Sequence, residues 1–213
     1  MNDGASGSAE SYPDECWTFC NTTALAAILV ADRIFGTDHR AFAEEWVSRA
    51  REALMDEETG LLVSSFALDG RHLDGPEGSS IWFAAHNLLL VDEVFAEDQY
   101  WRARAALGRG VLGFGYAREW PPSWAGPADV DSGPIVPVLG ASAGSSGLAL
   151  VGAGAFADRR FQDALLSSLN LAAFPIRSGD ALAYQAGNQV ADAVFLYALV
   201  QGPLWDAVKR GRA

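Results

Sequence analysis

The sequence predicts an all-α fold: an α/α toroid of helical hairpins, (α/α)6-like but incomplete, with about three and a half hairpins. Three observations predict it. Nearly all-apolar helical runs alternate with amphipathic ones along 213 residues. Phe35, Phe95 and Phe156, each followed by a small residue and then an acidic or Thr linker, recur at spacings of 60 and 61 residues. Such a period with matching punctuation marks a repeated supersecondary unit. The third observation is where the two kinds of run must sit. A helix apolar all round has to be buried, whereas an amphipathic one keeps a wet face. Buried first helices inside and amphipathic second helices outside describe a ring or a solenoid. HEAT and TPR repeats are shorter than this period, which favours the toroid. Six such hairpins need about 360 residues, so the chain is expected to be the C-terminal part of a ring that is truncated, split or closed by a partner.

Taken in order, residues 1–11 are rich in Gly and Ser and lack the basic and apolar stretches of a signal peptide. They are expected to form a disordered lead-in to a partial toroid domain over residues 12–213. The first hairpin pairs the apolar run 24–35 with the amphipathic Glu44-Glu45-Trp46-Val47-Ser48-Arg49. The second pairs 81–95 with a run through Tyr100, Trp101 and Leu107, and the third pairs 148–156 with Phe161, Leu165 and Leu169. A fourth inner helix, 188–201, stops at Gly202-Pro203. Asp38 and Asp158, or Thr37 and Asp98, are candidate caps for the second helices, since a side-chain oxygen there satisfies orphan N–H groups. Residues 132–157 carry no charge and are long enough to span a bilayer. Pro134, Pro137, the serines and the many Gly and Ala residues make that run a poor span and a good tightly packed core helix. A cytoplasmic location is therefore expected.

Composition excludes several functions. A net charge of -12, with 15 Lys+Arg against 27 Asp+Glu, leaves no basic surface for a nucleic-acid backbone. Two cysteines are too few for a disulfide-stapled module. No spaced His, Cys or acidic set suggests a metal, and no Gly-x-Ser-x-Gly elbow suggests a serine hydrolase.

Parallel inner helices would bring the loops that precede them to one end of the ring. Those loops carry Asp14, Cys16 and Trp17; Asp74, Glu77 and Ser79; Asp129, Asp131 and Ser132; and Tyr184 and Asn188. Carboxylates sharing one mouth can be driven to different pKa values for acid/base work, so Asp131 with Asp129 and Glu77 with Asp74 are the candidate pairs. The glycine-flexed aromatic loop 113–122 is expected to line or lid the pocket through Tyr116 and Glu119, unless Glu119 only pairs with Arg118. His86, on an apolar inner helix, is a core group or a substrate contact; His39 and His72 show no partner. Cys16 and Cys20 lie four apart at the start of the first inner helix, a spacing that does not suit a disulfide. A thiol at a helix N-terminus is the more nucleophilic for it.

The block Tyr12-Pro13-Asp14-Glu15-Cys16-Trp17-Thr18-Phe19-Cys20-Asn21, followed by Asp32-Arg33-Ile34-Phe35-Gly36-Thr37-Asp38, resembles linalool dehydratase/isomerase and its relatives. The similarity continues through Glu57-Glu58-Thr59-Gly60, Arg118-Glu119 and Asp129-Val130-Asp131-Ser132-Gly133, and spans roughly residues 12–169. It implies an (α/α)6 toroid that oligomerises and a cofactor-independent dehydration and isomerisation of a terpene alcohol. Cys20 matches one of the family's two cysteines and Ser11 stands at the other. The expected function is thus lyase- or isomerase-like. A small apolar alcohol or terpenoid would lie against Trp17, Phe66 and Tyr116, with Asp131 or Glu77 moving protons and Cys20 near the reacting carbon. Two alternatives are a carbohydrate-active toroid using the paired carboxylates, and a non-catalytic scaffold completed by another copy or a second chain.

Overall fold

The computed structural model describes residues 6–126 and 132–210. It is mainly helical, about 52% helix in eight helices, but 15% of it is strand, which corrects the all-α expectation. The odd-numbered helices α1 (Thr18–Phe35), α3 (Gly78–Leu88), α5 (Ala143–Ala155) and α7 (Gln189–Val200) form one layer, each packing on the next. Their partners are α2 (Arg40–Ala53), α4 (Glu93–Ala106), α6 (Arg159–Ala172) and α8 (Gly202–Arg210). Four short antiparallel pairs fill the links. They are β1 (Cys16–Trp17) with β2 (Ser65–Phe66), β3 (Gly108–Val111) with β4 (Phe114–Ala117), β5 (Ile135–Val136) with β6 (Ala141–Ser142), and β7 (Pro175–Ser178) with β8 (Ala181–Tyr184).

Local chemistry explains the boundaries. α1 ends at Gly36, whose left-handed φ of 70° lets its N–H reach the Asp32 carbonyl. α2 buries Ala43, Trp46, Val47 and Ala50, the i, i+3, i+4, i+7 stripe of an amphipathic helix. Asp158 caps α6 as expected, accepting from the Phe161 N–H. Asp98 does not cap: it lies inside α4 and binds Arg102, while Asp92 accepts from the Phe95 N–H and starts that helix earlier. Phe95 therefore belongs to the first turn of α4, whereas Phe35 closes α1 and Phe156 caps α5. The layer helices start at Thr18, Gly78, Ala143 and Gln189, so the unit recurs without a constant period. The fourth layer helix ends just before Gly202-Pro203 as expected, at Val200, and that pair opens α8, where a proline's missing N–H costs nothing.

Two further expectations change. The lead-in is packed from Ser6 onward: Ser6 and Ser8 are buried, and the Trp46 indole N–H donates to Ser8 Oγ at 2.9 Å. Asn21 brackets Ala9, accepting its N–H at 2.8 Å and donating to its carbonyl at 3.0 Å. The uncharged run 132–157 divides into β5, β6 and the 13-residue α5. Its small residues admit close neighbours: a Cβ on Gly152 would lie 3.2 Å from the Tyr100 ring, and one on Gly154 3.1 Å from the Ala198 carbonyl. Among the described residues one helix, α1, has the length and apolarity to cross a membrane, with a mean hydropathy of 1.2 and 33% of that stretch buried in the fold.

Candidate functional site

Three of the four loops preceding the layer helices meet at one end. The Thr18 N–H donates to the Ser64 carbonyl at 2.9 Å, and the Glu77 N–H donates to Ser64 Oγ at 2.7 Å, tying the starts of α1 and α3 together. The Gly78 N–H reaches the Glu119 carbonyl at 2.7 Å, and Ser145 Oγ donates to the Arg118 carbonyl at 2.7 Å, adding the start of α5. Two carboxylates lie here. Glu77 is 4% exposed and its side chain does not cap α3. Glu119, fully buried, caps that helix from outside: Oε1 accepts the Ser79 N–H at 2.8 Å and Oε2 accepts from Ser132 Oγ at 3.3 Å. A carboxylate at a helix N-terminus also meets the positive end of the dipole. Arg118 joins this junction through its carbonyl, while its side chain turns elsewhere, Nε donating to the Leu139 carbonyl at 3.1 Å.

Aromatic rings wall the same end. Trp17, half-buried, pairs with Ser65 across β1–β2, and Ser65 Oγ donates to Asp74 at 3.3 Å. Trp120 and Trp124 stack at 5.1 Å between centroids. The indole N–H groups of Trp17 and Trp120 are buried without a hydrogen-bond partner. Unmet donors of that kind cost free energy that a ligand oxygen would recover.

Other predicted residues serve elsewhere. Asp129 and Asp131 lie outside the described residues. Phe66 is fully buried in the core opposite Cys16. Tyr184 donates to Asn170 Oδ1 at 3.1 Å, and Asn188 caps α7 by accepting the Ala191 N–H; among the described residues this fourth loop is tied to the end of α6, not to the other three. Asp14 is exposed in a turn with φ 62°, its N–H held by Glu10. Tyr116 sits half-buried in β4 opposite Arg109, in a hairpin rather than a loop. Cys16 belongs to β1, not to a helix start; its buried thiol is pushed up by desolvation and by Glu10 and Glu15. Cys20 is exposed on α1, one turn past Trp17, and both cysteines are free thiols.

His86 is fully buried on α3, away from the helix start. Its Nε2 lies 2.8 Å from Tyr197 Oη, its ring stacks on Trp205 at 4.3 Å, and Trp205 Nε1 donates to its carbonyl at 3.2 Å. Its Nδ1 has no partner. Burial, with Lys209 adding to it, lowers its pKa to about 3. The imidazole is thus a neutral core group closed over by α8.

A hydrogen-bonded cluster around Asp32 does not show in the sequence. Asp32 Oδ1 accepts from Thr37 Oγ1 at 2.6 Å and lies 2.6 Å from His39 Nδ1, and Oδ2 accepts the His39 N–H at 2.7 Å. Desolvation works to raise the Asp32 pKa, but the hydrogen bonds from Thr37 and His39 outweigh it and lower it to about 2. These residues, with Ile28, Ala31 and Phe42, line a groove of about 350 Å³ between the end of α1 and the start of α2. Asp32→Ala is expected to lower stability by about 2 kcal/mol in urea titrations at pH 7. That deficit should be present above pH 3.8 and vanish as pH falls through 2, where the wild-type carboxyl loses its charge. An unchanged midpoint at pH 7 would show that Asp32 does not hold the α1–α2 turn together. No family model matches the chain, and no curated protein matches it.

Proposed function

We propose that the chain is part of an α/α toroid enzyme, lyase- or isomerase-like, that dehydrates a small apolar alcohol or terpenoid at the mouth formed by the loops before α1, α3 and α5. The observation that carries this reading is the pair of buried carboxylates, Glu77 and Glu119, flanking the N-terminus of α3 beside Trp17 and Trp120. The layer of successive helices, each followed by a partner helix, supports the toroid. Dehydration breaks a C–O bond and an adjacent C–H bond; the hydroxyl leaves as water once protonated, and the C–H electron pair becomes the double bond. The reaction is redox-neutral and needs one acid and one base. Glu119 is engaged by two hydrogen bonds, which suits a positioning role, and Glu77 is the proton carrier with Asp131 as its counterpart. The unpaired indoles would hold the substrate oxygen, and Cys20 would stand at the rim beside Trp17.

Glu77→Gln is expected to cut alkene release from a panel of tertiary and allylic alcohols by about 100-fold or more, the usual scale for losing an acid/base group. Cys20→Ser separates thiol assistance from proton transfer in the same assay. Wild-type rates in Glu77→Gln would sink the proposal. The stacked Trp120–Trp124 pair favours a second reading, a carbohydrate-active site, because flat aromatic faces also seat sugar rings; glycoside cleavage without alcohol turnover would establish it. The exposed aliphatic residues on α1 and α7 favour completion of the ring by another copy or chain, with or without catalysis.

A further inference from the structure

Trp124 occupies a seat that two glycines leave open. A Cβ on Gly75 would run into its Cζ3 and lie 2.5 Å from Cε3, and one on Gly126 would run into Cζ2 and lie 2.6 Å from Cε2. Neither glycine has a left-handed φ, so an alanine could follow the same backbone at both positions. What excludes a side chain there is the indole. The ring also stacks on Trp120 with 15° between the planes, and the Trp124 backbone N–H donates to the Pro121 carbonyl at 3.0 Å, closing the turn that brings the two rings together. The partners of this ring are the mouth's own parts: Gly75 lies in the loop that carries Glu77, and Trp120 follows Glu119 directly. Buried Ser64 and Ser65 hold the Gly75 loop in place. The Ser64 N–H donates to the Gly75 carbonyl at 3.0 Å, Ser64 Oγ accepts the Glu77 N–H, and the Ser65 carbonyl accepts the Asp74 N–H at 3.3 Å. On the other side of the contact Pro122, Ser123, Ala125 and Gly126 are exposed and Trp124 is half-buried. A group added at Gly75 would therefore displace the ring and not the loop.

We propose that Trp124 is the specificity-determining residue of the mouth: its indole roofs the Gly75–Glu77 loop beside Trp120 and sets the size of the alcohol that reaches the carboxylates. The roof rests on the mouth reading above. Trp124 covers one face of Trp120, whose indole N–H is buried without a partner. A shield that keeps water from that donor leaves it for a ligand oxygen. A roof and a stacking platform differ in what their removal does. Without a platform the ligand is lost, whereas without a roof a larger ligand enters.

Indole N–H signals in NMR spectra of the full chain read the roof without turnover. Trp124→Ala should speed exchange of the Trp120 indole N–H with water by about 10-fold or more. The Trp46 and Trp205 indoles, bonded to Ser8 and to the His86 carbonyl, should keep wild-type rates. Gly75→Ala should have the same effect with the ring still present. In the Trp124→Ala background it should no longer lower the urea midpoint, because alanine then has room. Titrating the Trp17 and Trp120 signals with tert-butanol and with dimethylhexylcarbinol gives the ratio of their affinities. That ratio should shift toward the longer alcohol by about 10-fold or more in Trp124→Ala, the scale on which a pocket tells apolar homologues apart. Wild-type exchange in both variants overturns the proposal, as does a Gly75→Ala cost that persists without the ring. Faster exchange that spreads to Trp46 and Trp205 would mean a general loosening and overturns it too. Loss of affinity for both alcohols in Trp124→Ala would make the ring a platform and not a roof. An unchanged ratio with both alcohols bound removes the roof and leaves the mouth reading standing; neither alcohol reaching the Trp17 or Trp120 signals in either protein removes the mouth reading as well.

Discussion

Gly78→Ala is expected to destabilise the protein by about 3–4 kcal/mol, one of the largest effects available from a single methyl group. Gly78 is the first residue of α3, and its N–H binds the Glu119 carbonyl. A Cβ there would run into Ser145 Oγ and stand 2.5 Å from the Arg118 carbonyl and 2.8 Å from Ser145 Cβ. None of these can yield cheaply. Ser145 Oγ donates to the Arg118 carbonyl at 2.7 Å and accepts from the fully buried Trp82 indole at 3.1 Å, so moving it strands two buried polar groups. The backbone would have to part where three loops join. Gly202, with nothing within 4 Å of its Cβ position, is the control, and Gly202→Ala should stay within about 0.5 kcal/mol of wild type. Ser145→Ala added to Gly78→Ala should recover only part of the loss, since the Arg118 carbonyl remains in the way. Denaturant midpoints measure all three; a Gly78→Ala cost under about 1 kcal/mol would show that the junction is looser than its distances imply.

The alternation of buried and amphipathic helices was legible because it is written in periodicity over ten or more residues, as in α2 and α6. The strands were not: each has two to four residues, too few to show a period, and β1 carries Cys16 on what helical spacing reads as a first turn. The repeat was misread at Phe95, because Asp92 and Asp98 are equally good caps on paper and tertiary packing chose Asp92. Among the site residues, Glu77 was legible as a carboxylate beside a helix start, whereas Glu119 read as part of a pocket-lining loop and its capping of α3 did not show. Asn188 and Tyr184 had the same appearance and went to a cap and a hydrogen bond to α6. Asp32 and His39 could not be joined from sequence, since only the left-handed turn at Gly36 brings them together. The Ser64 and Ser79 contacts that assemble the mouth depend on which loops meet, and no local pattern encodes that.

Acid should weaken this fold well above the pH at which carboxylates protonate, and His86 is the reason. Its pKa is about 3 in the folded chain against 6.5 for an exposed histidine, so the unfolded chain takes up the proton first. The stability that His86 contributes as a neutral group is therefore complete above pH 6.5 and drains away as pH falls toward 3, by roughly 1.4 kcal/mol per unit. Between pH 7.5 and pH 5 the loss should be about 2 kcal/mol, clear of the window below pH 3.8 that belongs to Asp32. His86→Phe keeps a ring against Trp205 but cannot take a proton; it should flatten the urea midpoint across pH 7.5 to 5 whatever its stability at neutral pH. The groups around the imidazole fix which element yields. Tyr197 faces Nε2, Trp205 covers one ring face, and Lys209, held at 2.7 Å by Glu93, brings a like charge that a protonated His86 would meet. Trp205 and Lys209 both belong to α8, a nine-residue helix that keeps only Trp205 and Val208 buried, so α8 is the element that should detach. Amide exchange should then quicken in α8 before α3 as pH drops from 7 to 5, and not in His86→Phe. A wild-type midpoint that stays level between pH 7.5 and 5 would mean that the imidazole finds water or a partner for its Nδ1 and is not held neutral by burial.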